Sequence, residues 1–213
     1  MTMKRIPTLS VFATLAMTAP GMAPAADPAF DCGKASGTVE EMICANDGLA
    51  ELDREMARLY GLAVNDPDLG QERLDRLKAM QRGWIKGRND CWKADSVEGC
   101  VAENYAMRMH ELRLGYGNTR SDDEAGITIG PLAFVCGGLK AGISAVFVNG
   151  AEGLVSLRWD DRSLALTQAV SGSGARYEGE SFDGIYEFWT KGPEALFTTP
   201  ATGQLNCIED DIG

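Results

Sequence analysis

Of the 213 residues, a single one is histidine, His110, and no two cysteines stand in C-x-x-C spacing. Structural zinc sites are built from Cys and His at short fixed spacings, so no metal site is expected. His110 falls on the polar side of a helical run and reads as a solvated surface residue, not a general base. Bases are also scarce. Twenty Lys and Arg face 31 Asp and Glu, a net charge of −11. Such a chain avoids nucleic acid and anionic lipid and attracts a basic partner. Gly-x-Gly segments occur, but none follows a strand and opens a helix, so no phosphate cradle is expected. The acid pairs Asp160-Asp161 and Asp210-Asp211 fall on a turn and a tail and read as solvated charge. No catalytic residue and no cofactor emerge from this inventory. Binding is favoured over catalysis.

Long apolar runs are missing too. MTMKR precedes the apolar stretch Ile6–Ala23, which ends in Ala23-Pro24-Ala25. A basic head, a modest apolar run and an A-x-A end describe a secretory signal peptide over residues 1–25. The run is broken by proline and glycine and is too short to serve as a spanning anchor. Cys32 is preceded by Ala29-Phe30-Asp31, which is no lipidation site. The expected product is soluble, without a membrane anchor, and lies in the periplasm or outside the cell. Loss of Lys4 and Arg5 with the leader takes its net charge to −13.

Six cysteines in an exported chain read as a disulfide framework. Cys136 and Cys207 flank one half of the chain and would tie its first strand to its last. Cys32, Cys44, Cys91 and Cys100 then pair among themselves. Cys32–Cys44 with Cys91–Cys100 is the first arrangement; Cys32–Cys100 with Cys44–Cys91 is the other.

Periodicity divides the chain. Over residues 30–114 it is helical. A short helix is expected around Glu40–Ala45. Asp47 is placed as cap of a run in which Leu49, Leu52, Met56, Leu59 and Ala63 recur at three- and four-residue steps. Leu74, Leu77, Gln81, Trp84, Arg88 and Cys91 form a second stripe; Val101, Tyr105, Met109 and Leu112 form a third. This is a small helical bundle, in need of disulfide staples. Residues 115–126, GYGNTRSDDEAG, lack apolar period and read as a linker. Across 127–213 the period becomes two, giving eight short strands from PLAFVC to QLNCI. They suit an antiparallel barrel or sandwich. The fold class is α+β in two domains.

One loop is richer than a turn requires. In VSGSGARYEG, residues 170–179, glycines frame Ser173 directly before Arg176 and Tyr177. Together with FWTKGPEAL (Phe188, Trp189, Lys191, Gly192) and flanking cysteines, SGSGARY resembles the MliC/PliC family of inhibitors of c-type lysozyme. The resemblance covers residues 127–208 and implies an eight-stranded antiparallel barrel closed by Cys136–Cys207. It also implies that Ser171, Ser173, Gly174, Arg176, Tyr177 and Lys191 bind lysozyme, with the Ser/Gly loop and the lysine entering the active-site cleft. Phe134 stands where that family usually has tyrosine. Glu178–Glu187 is longer than the hairpin the resemblance implies, which suggests a different spacing between loop and lysine.

The front half is similar to LprI-like modules through Phe30-Asp31-Cys32, Ile43-Cys44, Leu52-Asp53, Tyr60, Gln81-x-x-Trp84, Arg88, Cys91, Cys100, Tyr105, Arg108 and Leu112. Those positions also suit the core and staples of any small bundle. The expected function is an exported inhibitor of c-type lysozyme that protects peptidoglycan. The alternative is a periplasmic module that binds another envelope partner.

Overall fold

A computed structural model describes residues 27–120 and 126–210. The expected signal peptide lies outside them. Four helices come first: α1 (Thr38–Ala45), α2 (Asp47–Val64), α3 (Gln71–Asn89) and α4 (Val97–Gly115). Asn46, not Asp47, caps α2, because its side-chain oxygen accepts the Leu49 N–H at 3.0 Å. Ser96 caps α4 in the same way through Gly99. The expected stripe of α2 is buried in full, from Leu49 to Ala63. Cys32–Cys44 and Cys91–Cys100 staple this half, which settles the pairing in favour of the first arrangement.

Eight strands follow: β1 (Thr128–Cys136), β2 (Ile143–Asn149), β3 (Gly153–Trp159), β4 (Arg162–Ala169), β5 (Ala175–Ser181), β6 (Gly184–Lys191), β7 (Glu194–Thr199) and β8 (Gly203–Asp210). Each pairs antiparallel with its neighbour, and β8 pairs with β1, closing the barrel and leaving no free edge. Cys136 faces Cys207 in that last ladder and is bonded to it. In the chain-entropy account, closing a loop of that length contributes about 4 kcal/mol. Alternation does the rest. Phe134, Tyr186, Phe188 and Phe197 point inward and pack edge to face or tilted, while Glu187, Trp189 and Lys191 point outward from β6.

The two halves share a core. Val148, Leu154 and Ala165, on the outer face of β2–β4, pack into the helical cluster, and α4 runs across β1–β4. This joint corrects the reading of His110. The residue is 0 % exposed, with Nδ1 at 3.0 Å from Ser156 Oγ and Nε2 at 2.9 Å from Ser144 Oγ. Its side of α4 is polar because it meets barrel hydroxyls, not because it meets water. Arg113 on the same helix is also fully buried, donating to Thr128 Oγ1 at 3.2 Å and to the Gly130 carbonyl. Part of the expected linker is anchored as well: Thr119 is buried, and its hydroxyl donates to Leu112 O at 3.0 Å.

The stretch Glu178–Glu187 proves to be ladder. Residues 178–181 of β5 pair with 184–187 of β6 around a turn at Phe182-Asp183. That turn lies at the end of the barrel opposite the serine loop.

Candidate functional site

Loop 170–174 joins β4 to β5, and Gly192-Pro193 joins β6 to β7 at the same end of the barrel. Register brings them together, since Ala175 opposes Thr190 and Arg176 opposes Trp189. Gly174 sits at φ +67°, and a Cβ there would stand 2.1 Å from the Thr190 carbonyl oxygen. Only glycine lets the loop lie this close to β6. Ser171 braces the turn from within, its hydroxyl donating to the carbonyls of Ser173 (3.2 Å) and Gly174 (3.0 Å). From below, the Trp189 indole N–H donates to the Ser173 carbonyl at 2.8 Å. The loop backbone is thus tied on two sides, with Gly172, Ser173 and Gly174 exposed.

Beside it, a groove of about 700 Å³ crosses the outer face of β6, β7, β8 and β1, lined among others by Val135, Ser173, Trp189, Lys191, Leu196 and Ile208. Val135 and Ile208 are about half exposed, at 52 % and 49 %. Lys191 is exposed at the end of β6, opposite Glu194 in the ladder. Among the described residues it has no ion pair within 4 Å. One hydroxyl and one ammonium therefore project beside an apolar groove. They can donate hydrogen bonds and charge to a partner.

Two expected contact residues lie elsewhere. Tyr177 is 3 % exposed and packs inside the barrel at 5.7 Å from the Phe147 ring, so it supports the loop base from within and is not a surface contact. It follows the inward alternation of β5, and the phenol is held above its usual pKa by burial. Arg176 projects from the outer face, but its guanidinium is spent on Glu187 (Nε to Oε2, 2.6 Å) and Glu178. Trp189 helps hold the loop, a contact that its place in the FWTKGPEAL motif does not show. Its partner is a backbone carbonyl, which no residue type announces.

Among the described residues, no group of three or more His, Cys, Asp or Glu is placed to hold a metal ion. No helix there is long and apolar enough to cross a membrane.

Comparison with known proteins finds two family models, one on each half of the chain. The family described as "Lysozyme inhibitor LprI" matches residues 32–113, and that described as "Membrane-bound lysozyme-inhibitor of c-type lysozyme", MliC, matches 134–206. The lipoprotein LprI of Mycobacterium tuberculosis is 27 % identical over 167 residues, 78 % of this chain and 77 % of the relative. The membrane-bound lysozyme inhibitor of C-type lysozyme from Escherichia coli is 48 % identical over 50 residues, 24 % of this chain and 42 % of the relative. An uncharacterised protein of Rhizobium meliloti is 31 % identical over 130 residues, 50 % of this chain and 91 % of the relative. No solved structure matches. The chain is thus similar to two lysozyme-inhibitor families, to LprI through its helices and to MliC through its barrel.

Proposed function

We propose that this protein inhibits c-type lysozyme by occupying its active-site cleft with loop 170–174 and Lys191, and so protects peptidoglycan in the cell envelope. The observation that carries the reading is the shared edge of the outer groove. Ser173, on a loop pinned by Trp189, and Lys191, free of an ion pair, line the same depression. A lysozyme cleaves with two carboxyl groups, one protonated and one ionised. Lys191 neutralises the ionised carboxylate, and the Ser173 hydroxyl hydrogen-bonds the acid. Gly172 and Gly174 keep the loop narrow enough to enter a cleft. Blocking needs occupation alone, with no bond made or broken.

Charge favours the encounter. The protein is acidic, and a c-type lysozyme is basic, so association is steered by opposite charge and weakens with salt. The test is residual lysis of bacterial cell walls by a c-type lysozyme, titrated with the exported chain at low and moderate salt. Stoichiometric, salt-sensitive loss of lysis is the expected result. Full lysis at micromolar excess of the protein would overturn the reading and point to another envelope partner.

A further inference from the structure

A second pocket, about 370 Å³ in volume, lies at the joint between bundle and barrel. Arg73, Arg76 and Met80 of α3, Arg108 and Glu111 of α4, and Arg158 of β3 line it, together with Leu114 and Tyr116. Four guanidinium groups and one carboxylate meet here in a chain with eleven more acids than bases. That is the reverse of the surrounding charge.

Arg108 is the informative member. It is 3 % exposed. Its Nε donates to Gln81 Oε1 at 3.0 Å and its Nη1 to Glu111 Oε2 at 2.8 Å. Its Nη2 is buried with no hydrogen-bond partner among the described residues. A charged donor taken out of water and left without an acceptor forfeits its hydration for nothing, so such a group ordinarily has a partner. Glu111 accepts from Nη1 and, in this geometry, not from Nη2.

The neighbouring cations are not neutralised from within. Arg158, which reaches the pocket from the barrel, has no ion pair within 4 Å among the described residues. Among the described residues Arg76 pairs only with Glu72 at 3.9 Å, and both side chains are largely exposed, which makes the pair weak. Arg73 is held in place, donating to Gly115 O at 3.0 Å with its guanidinium over the Tyr116 ring at 5.5 Å. Met80 and Leu114, both partly exposed, add apolar wall. Guanidinium groups prefer oxyanions, which accept two parallel N–H bonds from one fork.

We infer that this pocket binds an oxyanion, a carboxylate or phosphate group on a small organic body, held by the accessible guanidinium groups of Arg158 and Arg76 with the buried charge of Arg108 behind them. The bound anion accepts from groups on both sides of the joint and relieves the repulsion between them. It therefore fastens β3 to α3 and α4, and it stabilises the native chain by mass action. The site is separate from the serine loop and independent of any effect on lysozyme.

The experiment is thermal unfolding and calorimetric titration of the exported chain with inorganic phosphate and, separately, acetate, against chloride at equal ionic strength. At least one oxyanion should raise the unfolding temperature saturably while chloride does not. Phosphate alone, or acetate alone, assigns the ligand's anionic group. Arg158→Gln, at a partly exposed position, should weaken the apparent affinity at least tenfold, and Arg76→Gln should weaken it less. Both should leave inhibition of lysis unchanged. Failure of both anions to act saturably, or a response in Arg158→Gln equal to that of the parent, would overturn the proposal. Arg108→Gln removes a buried framework residue, so the test relies on the two surface substitutions, which leave that framework in place.

Discussion

Trp189 holds Ser173 from the neighbouring strand, its indole N–H 2.8 Å from the loop carbonyl. The bond fixes the height of the loop above β6 and leaves the serine hydroxyl outside the contact. A loop ordered before encounter loses less entropy on binding than a free one. Trp189→Phe keeps most of the ring and deletes the donor. A net hydrogen bond contributes about 1 kcal/mol, so inhibition should weaken about fivefold. The unfolding temperature should move little, because Trp189 lies outside the barrel core. Inhibition constants for the two proteins give the comparison, and equal values would remove Trp189 from the positioning role.

The two glycines beside Ser173 make different demands. Gly174 has a left-handed φ of +67° and the Thr190 carbonyl oxygen 2.1 Å from where a Cβ would stand. Gly172 has no atom within 4 Å of that point. Gly174→Ala should therefore force the loop off β6, costing at least ~1 kcal/mol of stability from the backbone alone, and should weaken inhibition at least tenfold. Gly172→Ala should leave stability unchanged. Any loss of inhibition in Gly172→Ala then reports the depth to which the loop enters the cleft. Denaturant unfolding together with a lysis titration separates the two effects. Equal stability of both variants would contradict the loop geometry.

Lys191 is the point charge of the proposed plug. It is exposed and carries no ion pair within the described residues, so Lys191→Ala should leave folding intact. Against lysozyme the same change leaves a buried carboxylate without its partner and should cost ~2 kcal/mol or more, roughly thirtyfold. Most of the loss should appear as faster dissociation, readable by surface-based kinetics. Unchanged inhibition would sink the charge-pairing mechanism while leaving steric occupation to be tested through Ser173.

Much of this architecture was legible because local chemistry announces it. Two-residue alternation marked all eight strands to within a few residues, and the helical stripe of α2 named its buried positions. What escaped was chiefly long-range and polar. His110 and Ser156 are 46 residues apart, and Thr128 donates to Glu55 across 73. A helix packed on two sides keeps only a narrow wet stripe, here Glu103, Glu111 and Leu114, so the polar face of α4 that meets the barrel misled. Tyr177 illustrates another limit. A tyrosine next to a recognition loop is equally suited to a hot spot and to a barrel core, and the inward register of β5 decides for the core. The arginine pocket draws on residues from α3, α4 and β3, which only the closed joint brings together.

The buried imidazole gives the joint a pH dependence. His110 is faced by Ser144 from β2, and by Ser156 and the charge of Arg158 from β3. A neutral ring has one donor and one acceptor nitrogen, and two hydroxyls satisfy both. Burial, and then the Arg158 charge, push its pKa from 6.5 down to about 4. The unfolded chain therefore takes up a proton near pH 6.5 that the native state refuses until about pH 4. Stability contributed by neutral His110 is complete above pH 6.5 and is lost as the pH falls through that window, at about 1.4 kcal/mol per pH unit and up to ~3 kcal/mol in all. Glu40 and Glu55, whose carboxyls are held below the ordinary range by their hydrogen bonds, add their own losses only at lower pH. Between pH 6.5 and 5 the decline should belong chiefly to His110, and His110→Gln should flatten it. The measurement is the unfolding free energy of both proteins at half-unit steps across that range. Parallel slopes would show that His110 titrates in the native state as it does in the unfolded chain.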